Sequence, residues 1–106
     1  MVAVANSAEY TASKHGVLGL VRGAALDYAT KGIRVNAILP GLIDTPMLQT
    51  AVNGDPNLEK ALMEVCPMKR FSQPEEQAAA ACFLLSDEAS FITGAALSVD
   101  GGMLAL

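Results

Sequence analysis

Strands alternating with helices predict an α/β fold, a parallel sheet covered on both faces and present here only in part. Two features carry the class. Ile33 to Leu39 and Ala95 to Val99 are short apolar runs, closed by Pro40-Gly41 and by Asp100-Gly101-Gly102, as strands are closed by turn residues. Helix-favouring stretches lie before and between them, at Ala8 to Thr30 and Pro74 to Ser86. Composition points either to an obligate partner or to a piece cut from something larger. Of the 106 residues, 52% are hydrophobic and 17% charged, where an ordinary domain has about 25% charged residues. A chain this short buries only about two-thirds of its surface by itself and should carry more charge, not less. Two strands alone do not make a stable sheet in water. One domain is the most this length allows, and it reads as part of something larger.

The first helix spans residues 8–31, with Gly32 as its stop. Its apolar residues, among them Val17, Leu18, Leu20, Val21, Ala25 and Leu26, spread around most of the circumference, which predicts burial on several sides. Ala12, Gly16, Gly19 and Gly23 form a small-residue stripe. Each Gly costs about 1 kcal/mol relative to Ala in a helix, so a packing seam against another backbone is expected. The strand at 33–39 follows. Asp44-Thr45-Pro46 then pairs a capping side chain with Pro in a first helical turn. Residues 40–70 read as a partly helical excursion, broken at Asn53-Gly54-Asp55-Pro56 and helical again around Leu58 to Val65. Ser72-Gln73-Pro74-Glu75 has the pattern of a capping box opening a helix at 74–86. The last strand covers 95–100.

Several classes of function are excluded. The formal charge of −4, with seven Lys and Arg and no basic run, argues against nucleic acid and anionic membrane surfaces. No stretch approaches the roughly 18 apolar residues of a membrane span. Met1 to Asn6 lacks the basic flank and apolar run of a secretory signal. Cys66 and Cys82 form no CxxC and have no His cluster near them, so small buried thiols in a reducing cytoplasm are expected, with no metal site.

Tyr10 and Lys14 are spaced to project from one helix face, about 5–6 Å apart at Cβ. A phenol beside an ammonium is a device for exchanging a proton near neutral pH. One exposed Lys supplies at most about 1 kcal/mol, so the device needs burial or a second positive charge, such as an oxidised nicotinamide. By itself the pair is better read as a surface Tyr stacked on a Lys stem.

The surrounding residues decide it. Tyr10-Thr11-Ala12-Ser13-Lys14, followed by His15-Gly16-Val17-Leu18-Gly19-Leu20, resembles the active-site helix of the classical short-chain dehydrogenase/reductase family, which carries Tyr-x-x-x-Lys. The resemblance continues through Gly32-Ile33-Arg34-Val35-Asn36-Ala37 and Pro40-Gly41-Leu42-Ile43-Asp44-Thr45-Pro46-Met47. It resumes at Arg70-Phe71-Ser72-Gln73-Pro74-Glu75-Glu76 and runs on to Val99-Asp100-Gly101-Gly102. Only Gln49 to Met68 falls outside it.

The resemblance implies a Rossmann-like, doubly wound parallel sheet of which this chain is the C-terminal part. It implies hydride transfer between NAD or NADP and a small alcohol or carbonyl substrate. Tyr10 would be the general acid/base, and Lys14 would bind the nicotinamide ribose and assist Tyr10, both lying against the cofactor. Pro40, Gly41, Ile43 and Thr45 would close over the nicotinamide, through backbone at Ile43 and the Thr45 hydroxyl. Strand ends of open parallel sheets are where such ligands bind. Leu48 to Met68 would be the substrate lid. A homodimer or tetramer is implied for the complete protein.

The family's glycine-rich phosphate loop, its acidic residue on the adenine side and its catalytic Ser all precede the Tyr, and none is in this sequence. Ser7, in the same local segment as Tyr10, is no substitute, and His15 reads as a packing or hydrated residue. The chain by itself is therefore expected to be inactive. The alternative is a catalytically incomplete chain acting only as an assembly partner of a related subunit.

Overall fold

A computed structural model of the chain describes residues 8–105; the readings placed on Met1 to Asn6 and on Ser7 lie outside the described residues. The elements are α1 (Ala8–Tyr28), β1 (Ala37–Pro40), α2 (Pro46–Val52), α3 (Pro56–Glu64), α4 (Pro74–Leu85) and β2 (Ala96–Val99), with 3-10 turns at Asp87–Ala89 and Met103–Ala105. The described residues divide into two compact units, 8–37 with 83–97 and 38–82 with 98–105. No helix among them is long and apolar enough to cross a membrane.

In the first unit α1 buries Leu18 and Ala25, while Val17, Leu20 and Leu26 stay exposed. The stripe expected to be a packing seam is open: a Cβ built at Gly16, Gly19 or Gly23 meets nothing within 4 Å among the described residues. Arg34 organises the far end of this unit. Its Nη1 donates to the carbonyls of Leu84 (2.7 Å) and Ile92 (3.3 Å), and its Nη2 to that of Ser86 (3.1 Å). A cation is thus aimed at the last carbonyls of α4, the negative end of the helix dipole.

The first strand begins at Ala37, not at Ile33, and the reason lies in the side chains. Residues 34–36 run beside 92–95, but side chains supply most of the bonding. Val35 N donates to Thr93 Oγ1 (3.1 Å), Asn36 Nδ2 to the Ile92 carbonyl (3.0 Å), and Ala95 N to Asn36 Oδ1 (2.9 Å). These long-range side-chain bonds stand where backbone ladder bonds would otherwise form. The ladder proper starts with Ala37 N to the Ala95 carbonyl (2.8 Å) and ends with Gly41 N to the Val99 carbonyl (3.2 Å). Both positions advance together, so β1 and β2 are parallel neighbours.

In the second unit Val52, Cys66 and Phe71 are buried. Thr45 caps α2 through its hydroxyl, which accepts from Leu48 N (3.2 Å), with Pro46 in the first turn. Asp55 caps α3, accepting from Asn57 N (2.9 Å) and Leu58 N (3.4 Å). The excursion at 40–70 therefore contains two short capped helices. A Cβ at Gly41 would stand 2.9 Å from Asp100 Cα, so the close approach that this glycine permits is to the end of the neighbouring strand. Gly101 has φ +65, and a Cβ there would stand 2.6 Å from Cys66 Sγ; side chains are excluded on both counts.

Candidate functional site

The sequence-predicted residues fall in both units. Tyr10 and Lys14 lie in the first turns of α1, one helical turn apart. Lys14 Nζ stands 5.3 Å from the centroid of the Tyr10 ring, within cation–π range. Tyr10 is 56% exposed as a residue. His15 turns back on its own helix, its Nδ1 lying 2.8 Å from the Thr11 carbonyl, an i,i−4 contact that engages the ring within α1.

Pro40, Gly41, Ile43 and Thr45 lie in the second unit, on the stretch that leaves β1 and enters α2. A parallel bridge pins this stretch between Ile43 and Ser72. Ser72 N donates to the Leu42 carbonyl and Asp44 N to the Ser72 carbonyl, each at 2.8 Å. In a parallel bridge the bonds flank the central residue, so the N–H and C=O of Ile43 face away from Ser72. Thr45 Oγ1 accepts its capping bond and keeps its proton to donate elsewhere. One backbone donor, one backbone acceptor and a hydroxyl donor are the complement of a primary carboxamide, and in this respect the residues fit a nicotinamide. Asp44 Oδ1 accepts from Gln49 Nε2 (3.0 Å) and ties the start of α2 to its second turn.

Ser72 is itself held by residues that the sequence reading passed over. The capping box sits one position later than its pattern suggests: α4 starts at Pro74, and Glu76, not Glu75, reaches back to Gln73 N (2.9 Å). Glu76 also takes a two-pronged bond from Arg70, Nη1 to Oε1 at 2.7 Å and Nη2 to Oε2 at 2.8 Å. These bonds, that from Arg70 first and that from Gln73 N second, lower its carboxyl from the usual 4.5 to about 2. The Ser72 hydroxyl does not cap; it donates to the Gln73 carbonyl (2.9 Å) and accepts from Gln77 Nε2 (3.0 Å). Gln77 Nε2 also donates to the Val99 carbonyl (2.8 Å). Its Oε1 is buried with no hydrogen-bond partner among the described residues.

A cavity of about 580 Å³ opens in the same unit, lined by Leu42, Cys66, Met68, Arg70 and Asp100 among others. Pro40, Gly41, Ile43 and Thr45 are not in its wall. Among the described residues no group of three or more His, Cys, Asp or Glu is placed to hold a metal ion.

A family model described as Enoyl-(Acyl carrier protein) reductase matches residues 1–104. A 2,5-dichloro-2,5-cyclohexadiene-1,4-diol dehydrogenase of Sphingobium indicum is 53% identical over 106 residues, covering 100% of this chain and 42% of the relative. The ligand-free aldohexose dehydrogenase of Thermoplasma acidophilum superposes with a TM-score of 0.90 at 42% identity, over 99% of this chain and 44% of that one. ElxO with NADP bound gives a TM-score of 0.91 at 36% identity, over 99% of this chain and 42% of that one. The chain thus spans about two-fifths of the length of these proteins, and what it matches is their C-terminal portion.

Proposed function

The chain belongs to the short-chain dehydrogenase/reductase family, and on that premise we propose that it is the proton-transfer and nicotinamide-facing part of an NAD- or NADP-dependent oxidoreductase. The substrate is a secondary alcohol on a six-membered carbon ring, or the corresponding ketone. The observation that carries this reading is the pair Tyr10 and Lys14, stacked on one face of α1 with Tyr10 exposed.

Tyr10 Oη takes the hydroxyl proton of the alcohol and returns it in the reverse direction, as a general acid/base. Lys14 places an ammonium beside the ring, where it stabilises negative charge developing on the phenol oxygen, and its remaining donors serve the ribose hydroxyls. The outward N–H and C=O of Ile43 and the proton of Thr45 would hold the carboxamide. When bound, the nicotinamide supplies the hydride acceptor or donor. The ring substrate is supported by the name of the Sphingobium relative and by the apolar Met47, Leu58, Val65 and Met68 exposed along the excursion.

A second reading, an assembly partner for a related subunit, is favoured by one observation: α1 leaves Leu20 72% and Leu26 80% exposed. The two readings are compatible, because a homo-oligomer of the complete protein would cover the same helix.

The test is a chimera in which this segment follows the N-terminal portion of the Sphingobium dehydrogenase. It should reduce NAD or NADP in the presence of cyclohexanol, with a kcat/KM about tenfold above that for an open-chain secondary alcohol. A folded chimera that binds cofactor and shows no alcohol-dependent reduction would refute the reading.

A further inference from the structure

We propose that Gln77 is a positioning residue for Gly41–Asp44, holding that backbone in the form that receives the nicotinamide. This rests on the function proposed above and extends it to a residue that touches neither substrate nor cofactor.

The argument is one of connectivity. Gly41–Asp44 lies between β1 and α2 and has no regular element of its own, so its shape depends on what its backbone bonds to. At one end Gly41 N donates to the Val99 carbonyl (3.2 Å). Further on, the Leu42 carbonyl and Asp44 N both bond to the backbone of Ser72, at 2.8 Å each. The two supports, Val99 and Ser72, are far apart in sequence, and the single amide nitrogen of Gln77 joins them. One of its hydrogens goes to the Val99 carbonyl (2.8 Å) and the other to Ser72 Oγ (3.0 Å). That NH2 group is one bond removed from both ends of the segment.

The other half of the amide argues that packing alone does not explain the residue. Gln77 Oε1 is buried without a partner among the described residues, which is unfavourable. A methionine would fill the same space without that penalty. Nor would it orphan the present partners: the Val99 carbonyl keeps Gly41 N, and the Ser72 hydroxyl keeps the Gln73 carbonyl. Gln77→Met should therefore fold as well as the parent and lose only the tie.

The experiment uses the chimera described above and measures thermal unfolding together with the cofactor KM at saturating alcohol. For Gln77→Met the expected result is a cofactor KM raised about tenfold, with a melting temperature within about 2 °C of the parent. Ser72→Ala cuts one arm of the clamp and should raise the same KM about threefold; it also keeps the test decisive if the methionine variant folds poorly. A cofactor KM within about twofold of the parent in both variants would overturn the proposal. So would a rise that appears only with a melting temperature lowered by about 8 °C or more, since that marks a purely structural role. Tyr10→Phe in the same background separates the two claims. Turnover lost there, with Gln77→Met and Ser72→Ala unaltered, overturns the positioning role alone; turnover retained there overturns the functional reading beneath it.

Discussion

Arg34 directs its guanidinium at carbonyl oxygens, not at a carboxylate. Three of them, from Leu84, Ser86 and Ile92, converge on it, and the residue closes α4 onto the chain that precedes β1. Ile92 has a second donor in Asn36, so truncation harms chiefly the Leu84 and Ser86 carbonyls. Arg34→Met in the chimera should lower stability by about 2–3 kcal/mol, the loss expected when part-buried acceptors give up a charged donor. Urea denaturation measures it, and Arg34→Lys should recover only part because an ammonium cannot reproduce the fork. At this scale the pairing of Tyr10 with Lys14 was legible from residue type and spacing, and the structure stacks the two on one face of α1. The sequence was opaque at Gln77. A glutamine in a helix reads as a solvated side chain, and its two bonds reach residues 5 and 22 positions away that no local pattern links.

Among the elements, α4 shows how a correct motif can be misplaced by one residue. Ser72 and Glu75 have the spacing of a capping box, yet Pro74 fixes the first turn and gives the reciprocal bond to Glu76. β1 teaches a similar lesson, since Arg34 and Asn36 sit in an apolar run and bond with their side chains where a strand would bond with its backbone. Both departures arise because polar side chains choose partners that alternation patterns do not encode. The cap also predicts a pH dependence. Glu76 is held at about 2 in the folded chain against a usual 4.5, so its contribution is fully present above pH 4.5 and is lost as pH falls toward 2. Solvent screens it, because the Arg70 and Glu76 side chains are 48% and 42% exposed. Glu76→Gln should flatten the acid limb of stability in that window and leave neutral pH less affected. An unchanged acid limb in equilibrium unfolding would contradict the assignment.

For the whole molecule, the predicted α/β class with a partial parallel sheet is what the structure has, and its excess of apolar residues has a visible destination. Phe91, Leu85, Met47 and Leu26 are all at least 80% exposed. The 106-residue chain by itself should accordingly associate on size exclusion and lack both a cooperative melt and a near-ultraviolet circular dichroism signal. A monodisperse monomer with a sharp transition would contradict that. The central claim, that Tyr10 moves the substrate proton, is tested most directly by comparing the chimera with its Tyr10→Phe variant, turnover and affinity for the reduced cofactor (NADH or NADPH) being measured on the same samples. The account predicts turnover reduced about 10²- to 10⁴-fold with cofactor affinity changed less than about threefold; a variant that keeps more than about a tenth of parental turnover would contradict it.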